Sequence, residues 1–323
     1  METFLISKYR MELMGVATIG ILMCHAVGNH VSFPYPVSYA FSIGQIGNSL
    51  FMLLSGFGLY YSLSKAESNK TSILAWYKRR YARILIPYIL WYVVHFIRAC
   101  NTPNTDWVQF LFGFSLIKFW FYGGGAWFLS VLIPLYALSP WIKKLLTFQD
   151  MVGRNVIMVS CVLTIASFFH CSNPFFEHVL RAMPHFEAFF LGMAFAYYSI
   201  GGGRIKAPIL LSYGIVLMIS FFTINRDFAN FYLSCCLIVL PLLLWCLEHN
   251  NMNTKILRWL GRISLESYLT NGALPHYVAM IPWCMLSFNL NYGNYLGYSI
   301  VIIGGLLWAW GLHVVSQWIL SKI

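Results

Sequence analysis

Charge is what this sequence has least of. Asp, Glu, Lys and Arg make up 10% of its 323 residues, where soluble domains carry about 25%. Acids are the scarcer sign, with 10 Asp and Glu against 21 Lys and Arg. So few charges exclude a chain that keeps its whole surface in water. Metal and nucleotide motifs are missing as well. There is no CxxC pair, no HExxH, no Asp-rich loop, no GxSxG elbow and no P-loop. No resident metal or permanently bound cofactor is therefore expected. Internal repeats and low-complexity tracts are also absent. The eight cysteines, at 24, 100, 161, 171, 235, 236, 246 and 284, follow no disulfide spacing and fall mostly inside apolar runs. They read as reduced core residues.

What the chain has instead is apolar length. It is 59% hydrophobic, with a mean hydropathy of +0.67. Apolar windows of roughly 17–25 residues mark membrane spans. Ten are expected, at 11–31, 40–64, 80–100, 126–146, 155–171, 181–200, 207–224, 228–247, 262–285 and 296–320. The stretch 105–122 is short and aromatic and reads as an interfacial or re-entrant segment. The glycine triplets at 123–125 and 201–203 read as hinges. Lys8 and Arg10 precede the first apolar run as in a signal peptide. That run exceeds a typical signal core and no small-x-small site follows, so an uncleaved first span is expected. The expected fold is all-α: one polytopic helical bundle over residues 1–323.

Charge placement orients the bundle. With the N-terminus inside, every Lys and Arg except Arg98, Lys118, Arg181 and Arg226 falls on the cytoplasmic side. Cytoplasmic loops are enriched in these residues, so both termini are expected in the cytoplasm and the span count is even. The same placement disposes of nucleic acid as the partner implied by a formal charge of +11. The cations lie between apolar spans, where topology accounts for them.

A few polar groups lie where lipid should be. In "YRMELMGVATIGILMCHAVG", residues 9–28, Glu12 marks the inner boundary. His25 follows 13 residues later, roughly 20 Å deeper at about 1.5 Å per residue. Intramembrane ionisable groups are rare and usually face a polar cavity. A neutral imidazole can take a proton near neutral pH, which suits a general base acting on a hydroxyl. A core histidine hydrogen-bonded to a neighbouring helix fits helix one equally well. In "WYKRRYARILIPY", 76–88, Arg79 and Arg83 are four residues apart and Arg80 and Arg83 three, so one face carries several cations. Guanidinium forks match phosphate oxygens. An ordinary positive-inside belt or contacts to anionic lipid also explain Lys78 and Arg79. Glu187, Glu266 and Asn271 are candidate cavity-lining residues, and the two glutamates could equally be helix-to-helix partners. His95 reads as structural. His170, His178, His276 and His313 show no partner pattern and are also taken as structural.

The order of five segments resembles the acyltransferase-3 family of membrane acyltransferases, which decorate bacterial surface glycans and similar acceptors. "MGVATIGILMCH" is similar to the family's first motif, and "LFMLLSGFGL" at 50–59 to its aromatic–Ser-Gly-Phe stretch. "YKRRYARILIPY" resembles its Arg-x-x-Arg-Ile-x-Pro motif. "AWFLSVLIPLYALSP" at 126–140 resembles its Trp-Phe-Leu helix, and "LGRISLESYL" at 260–269 its Gly-x-Ile-Ser-x-x-x-Tyr-Leu signature. Two positions depart. Met14 stands where the family has an arginine eleven residues before the histidine, with Arg10 one turn earlier on the same face. Asn271 stands where the family often has a histidine.

The resemblance implies an acyl-CoA, usually acetyl-CoA, used from the cytosolic face as co-substrate. The acyl group goes to a hydroxyl of a glycan, glycolipid or related acceptor. It implies His25 as general base or acyl carrier, with Arg10 or Glu12 as its helper. Arg79, Arg80 and Arg83 are implied as the coenzyme's phosphate site, and a bacterial inner membrane as the location. A transporter or lipid-linked glycan flippase would also suit ten spans with buried polar groups, but internal repeats would favour it. A membrane glycosyltransferase or polymerase would call for carboxylate pairs or large outer loops, which are absent.

Overall fold

The computed structural model describes residues 3–29, 31, 33–224, 228–250, 253–278 and 295–322, without the side chains of 273–278 and 295–297. Arg226, Cys284, the side chain of His276 and the 279–285 end of the expected ninth span lie outside the described residues. Among the described residues the fold is helical and contains no strand. In chain order the α-helices are α1 (Phe4–Lys8), α2 (Arg10–Gly28), α3 (Tyr35–Ser42), α4 (Ile46–Ser68), α5 (Ile73–Cys100), α6 (Trp107–Phe114), α7 (Lys118–Tyr122) and α8 (Trp127–Leu146). They continue as α9 (Val152–Ser167), α10 (Pro174–Ile200), α11 (Ala207–Thr223), α12 (Phe228–His249), α13 (Lys255–Arg262), α14 (Ser264–Val278) and α15 (Tyr295–Leu320).

Among the described residues, 6 helices are long and apolar enough to cross a membrane: Arg10–Gly28, Tyr35–Ser68, Ile73–Cys100, Trp127–Leu146, Phe228–His249 and Tyr298–Leu320. Two shorter apolar helices, Val152–Ser167 and Ala207–Thr223, coincide with two further expected spans. The chain is an integral membrane protein. Its exterior fits lipid, since Phe222, Leu307 and Trp318 are each more than 60% exposed. Prolines sit inside α5, α8, α10 and α12, as membrane bundles tolerate when neighbours satisfy the freed carbonyls. The aromatic stretch 105–122 forms two short helices, α6 and α7, neither able to span. Gly123, Gly124 and Gly125 all take positive φ in the turn that leads into α8, a conformation glycine adopts without a Cβ penalty.

The chain divides into two compact units. Unit 1 comprises Met1–Leu13, Asn48–Arg79 and Asp106–Asn253; unit 2 comprises Met14–Gly47, Arg80–Thr105 and Thr254–Ile323.

In unit 1, α10 is the hub. Asn173 caps its start, accepting from the Phe175 amide at 3.0 Å, with Pro174 in the first turn; both residue types favour helix N-termini. Where α4 crosses α10, a Cβ at Gly56 would overlap the Phe189 carbonyl, and one at Gly192 would overlap the Leu53 carbonyl. Small residues on both helices let the backbones meet, the usual packing device in lipid. Asn230 of α12 donates to Ser167 of α9 at 2.7 Å, and Ser234 of α12 to the Gly214 carbonyl of α11 at 2.7 Å.

In unit 2, glycines hold α2 tightly. Gly15 faces the Leu257 backbone of α13, Gly20 and Gly44 face each other, and Gly47 faces Ala17. Tyr298 of α15 donates to the Leu22 carbonyl at 3.0 Å and packs with Ala26 and Val31. Antiparallel to α15, α14 docks through Thr270, whose hydroxyl donates to the Gly305 carbonyl at 2.9 Å.

Candidate active site

His25 lies near the end of α2 in unit 2. Cys24 and Ala26 beside it are buried, Met23 is 38% exposed, and His25 itself is half-buried. Its backbone carbonyl is taken by Asn29, whose side-chain amide donates at 2.7 Å and whose backbone N–H at 2.9 Å. No described residue hydrogen-bonds either ring nitrogen. The neighbouring contacts that fix this part of α2, through Leu22, Ala26 and Tyr298, leave the imidazole out.

Arg10 and Glu12, at the start of the same helix, belong to unit 1. Glu12 is 1% exposed. Arg10 Nε donates to the Leu54 carbonyl at 3.3 Å. Its guanidinium lies against Gly58, where a Cβ would meet it at 2.5 Å. The last glycine of "SGFG" thus makes the seat that Arg10 occupies. Met14, where the family resemblance expects an arginine, is half-buried in unit 2 and its carbonyl accepts from Thr18 at 2.9 Å.

On α5, Arg79 falls in unit 1, and Arg80 and Arg83 in unit 2. Arg79 and Arg83 are exposed and make no hydrogen bond or ion pair among the described residues, and Arg80 is half-buried. Trp76 and Tyr77 fasten the first turns of this helix, donating to Ser62 Oγ and to the Ala137 carbonyl, each at 2.6 Å.

The two intramembrane glutamates make helix-to-helix contacts. Glu187, fully buried in unit 1, accepts from Thr164 of α9 at 2.9 Å and from the Tyr213 hydroxyl of α11, joining three helices. Glu266, in unit 2, accepts from His313 Nδ1 of α15 at 2.9 Å, with side-chain exposures of 6% and 23% respectively. His313 is the residue that sequence reading missed. It stands 47 positions from Glu266, and nothing local to either residue signals the pairing. The α14–α15 register set at Thr270 and Gly305 brings them together. Asn271 donates to Ser267 Oγ at 2.9 Å, and its buried Oδ1 has no partner among the described residues. His95 is held by its own helix, its Nδ1 donating to the Trp91 carbonyl at 3.4 Å and the Trp91 ring tilted against it at 4.0 Å. His178 Nδ1 donates to the Trp120 carbonyl at 3.2 Å.

The Glu266–His313 pair carries a stability prediction. Breaking a buried pair from one side strands the other group, at a cost of about 3 kcal/mol or more. His313→Leu is expected to lower the thermal midpoint of detergent-solubilised protein by roughly 5 °C or more. A wild-type midpoint would show that the pair contributes nothing.

A family model matches this chain over nearly its whole length. The family described as "Acyltransferase domain" matches residues 13–314. The chain belongs to the acyltransferase-3 family. It is a membrane acyltransferase. The match begins just beyond Arg10 and Glu12 and takes in His25, the α5 arginines, Glu187, Glu266, Asn271 and His313. Comparisons with curated proteins and with solved structures gave no match. For the acyltransferase's donor and acceptor, the side chains themselves are the guide.

Proposed function

We propose that this acyltransferase moves an acetyl or similar acyl group from acyl-CoA to a hydroxyl of a cell-surface polysaccharide, glycolipid or related acceptor. The observation that carries this reading is the imidazole of His25, without a hydrogen-bond partner among the described residues and half-buried in an apolar helix of a family whose reaction is acyl transfer. His95 and His178, by contrast, each place Nδ1 on a backbone carbonyl. An unspent ring can accept a proton.

The reaction balances on that proton. His25 takes it from the acceptor hydroxyl as the oxygen attacks the thioester carbon. The O–acyl bond forms, the C–S bond breaks, and the departing thiolate receives the proton from the imidazolium. Arg80 and Arg83, with Arg79 one position earlier on α5, would bind the coenzyme's phosphates. Arg79 and Arg83 have no carboxylate partner among the described residues that would compete. Arg10, held by Gly58 and Leu54, supplies a fixed positive charge at the start of α2, and buried Glu12 stands beside it in sequence. In this reading the bundle has ten spans with both termini in the cytoplasm of a bacterial inner membrane. The phosphate site faces the cytosol and His25 lies toward the outer side. Membrane lipids surround the bundle, and nucleic acid has no part.

Thiol release provides the test. Purified protein given acetyl-CoA and a panel of hydroxylated glycans is expected to release free thiol only when a suitable acceptor is present. Acceptor-dependent consumption of a different acyl donor, with acetyl-CoA and longer acyl-CoAs inert, would overturn the coenzyme assignment.

A further inference from the structure

Unit 1 contains a cavity of about 320 Å³ that the reaction described so far does not use. Tyr60 and Ser64 of α4 line one side, and Tyr197 and Tyr198 of α10 the other; Gly201 and Gly203 form a low wall. The Tyr60 and Tyr197 rings meet edge to face with centroids 6.2 Å apart. The wall is fixed in place, because Gly203 donates to the Tyr198 carbonyl at 2.6 Å and accepts from Thr3 Oγ1 at 2.8 Å. Beside the cavity, Lys143 Nζ stands 5.0 Å from the Tyr60 ring centre and donates to Ser64 Oγ at 3.1 Å. The same ammonium pairs with the exposed carboxylate of Glu67.

We propose that this cavity holds the purine base of the acyl-CoA co-substrate. The assignment rests on the acyl-CoA reading above. Three properties point to a flat, polar-edged ring. The walls are aromatic, and aromatic faces hold bases by stacking. The rim carries hydroxyls, with the Lys143 ammonium just beyond Ser64, and such groups can donate to the acceptor nitrogens of a purine edge. The volume lies at the small end of ligand sites, roughly 300–1,000 Å³, and so suits one ring system rather than a whole coenzyme.

The surroundings fit the rest of the ligand. Trp76 of α5 donates to Ser62, which lies on α4 between Tyr60 and Ser64. Arg79 follows three residues after Trp76, exposed and without a partner among the described residues. A cation for phosphate is thereby carried on a helix fastened to the same turn of α4, through the face opposite Tyr60 and Ser64. Lys144 adds a second exposed cation next to Lys143. A lipid tail would find no use for these charges, and they complement a nucleotide's phosphates.

Two variants and two donors test the assignment. Tyr197→Ala removes a stacking wall. Gly201→Phe fills the space from a backbone position with φ of −77°, where a built Cβ makes only ordinary contacts. Each is compared with wild type for the KM of acetyl-CoA and of acetyl-4′-phosphopantetheine, which lacks the adenosine with its 3′- and 5′-phosphates. In wild type, acetyl-CoA is expected to have the lower KM. In both variants the KM of acetyl-4′-phosphopantetheine divided by that of acetyl-CoA is expected to fall by about tenfold, the worth of one stacked base. A ratio unchanged from wild type in both variants, with acetyl-CoA still consumed, would overturn the cavity assignment and leave the acyl-transfer reading standing. Failure of wild type to consume acetyl-CoA at all would overturn both.

Discussion

His25→Ala is expected to lower acyl transfer by roughly 100- to 10,000-fold, the usual contribution of a positioned general base, while the protein still folds and inserts. The structural half of this expectation follows from what the ring does not do. No described residue depends on it for a hydrogen bond. The Tyr298–Leu22 hydrogen bond and the Ala26–Val31–Tyr298 contacts that fix the end of α2 use other atoms. Gly15, Gly20 and Gly47 pack against backbone at positions away from residue 25. Removing the imidazole therefore strands no buried partner, in contrast to His313→Leu, which strands Glu266. The two histidine variants should separate cleanly: His25→Ala loses rate at wild-type thermal midpoint, and His313→Leu loses midpoint. A midpoint loss for His25→Ala equal to that of His313→Leu would return His25 to a packing role.

The second large effect concerns the donor. Arg80→Ala combined with Arg83→Ala is expected to raise the KM for acetyl-CoA by roughly 100-fold or more. Each charge-assisted hydrogen bond to phosphate is worth about 1.5 kcal/mol or more, and every 1.4 kcal/mol is tenfold. The effect should fall on KM, because the phosphates are remote from the bond that breaks and bind ground and transition states alike. Arg83 is exposed and has no ion pair among the described residues to lose. Unchanged affinity in the double variant would assign these arginines to the lipid belt instead.

Much of the fold was legible because apolar length is a strong signal. The windows at 11–31, 80–100, 126–146 and 228–247 correspond to α2, α5, α8 and α12. The stretch 105–122 was legible as non-spanning because it is too short. The windows at 155–171 and 207–224 correspond to α9 and α11, 16 and 17 residues long and so shorter than the six candidates. The separate helix α13 was not legible. "KILRWLGR" is short and amphipathic, and a hydropathy window averages it into the apolar residues of α14; the structure ends α13 at Arg262 and begins α14 at Ser264.

The site divides in the same way. His25 and Arg83 stand out in the sequence as candidates, since each interrupts an apolar run. The use made of the glycines could not. Gly58 reads as one small residue among several until Arg10 is seen seated against it. Glu187 and Glu266 stood out as buried carboxylates. Their partners, Thr164, Tyr213 and His313, come from other helices at distances in sequence that only the helix packing closes.

The measurement closest to the central claim is mass spectrometry of a glycan acceptor after incubation with purified protein and acetyl-CoA carrying an isotopically labelled acetyl group. The account predicts label on an acceptor hydroxyl with wild-type protein and at most about 1% of that amount with folded His25→Ala. Equal labelling by the two proteins would contradict it.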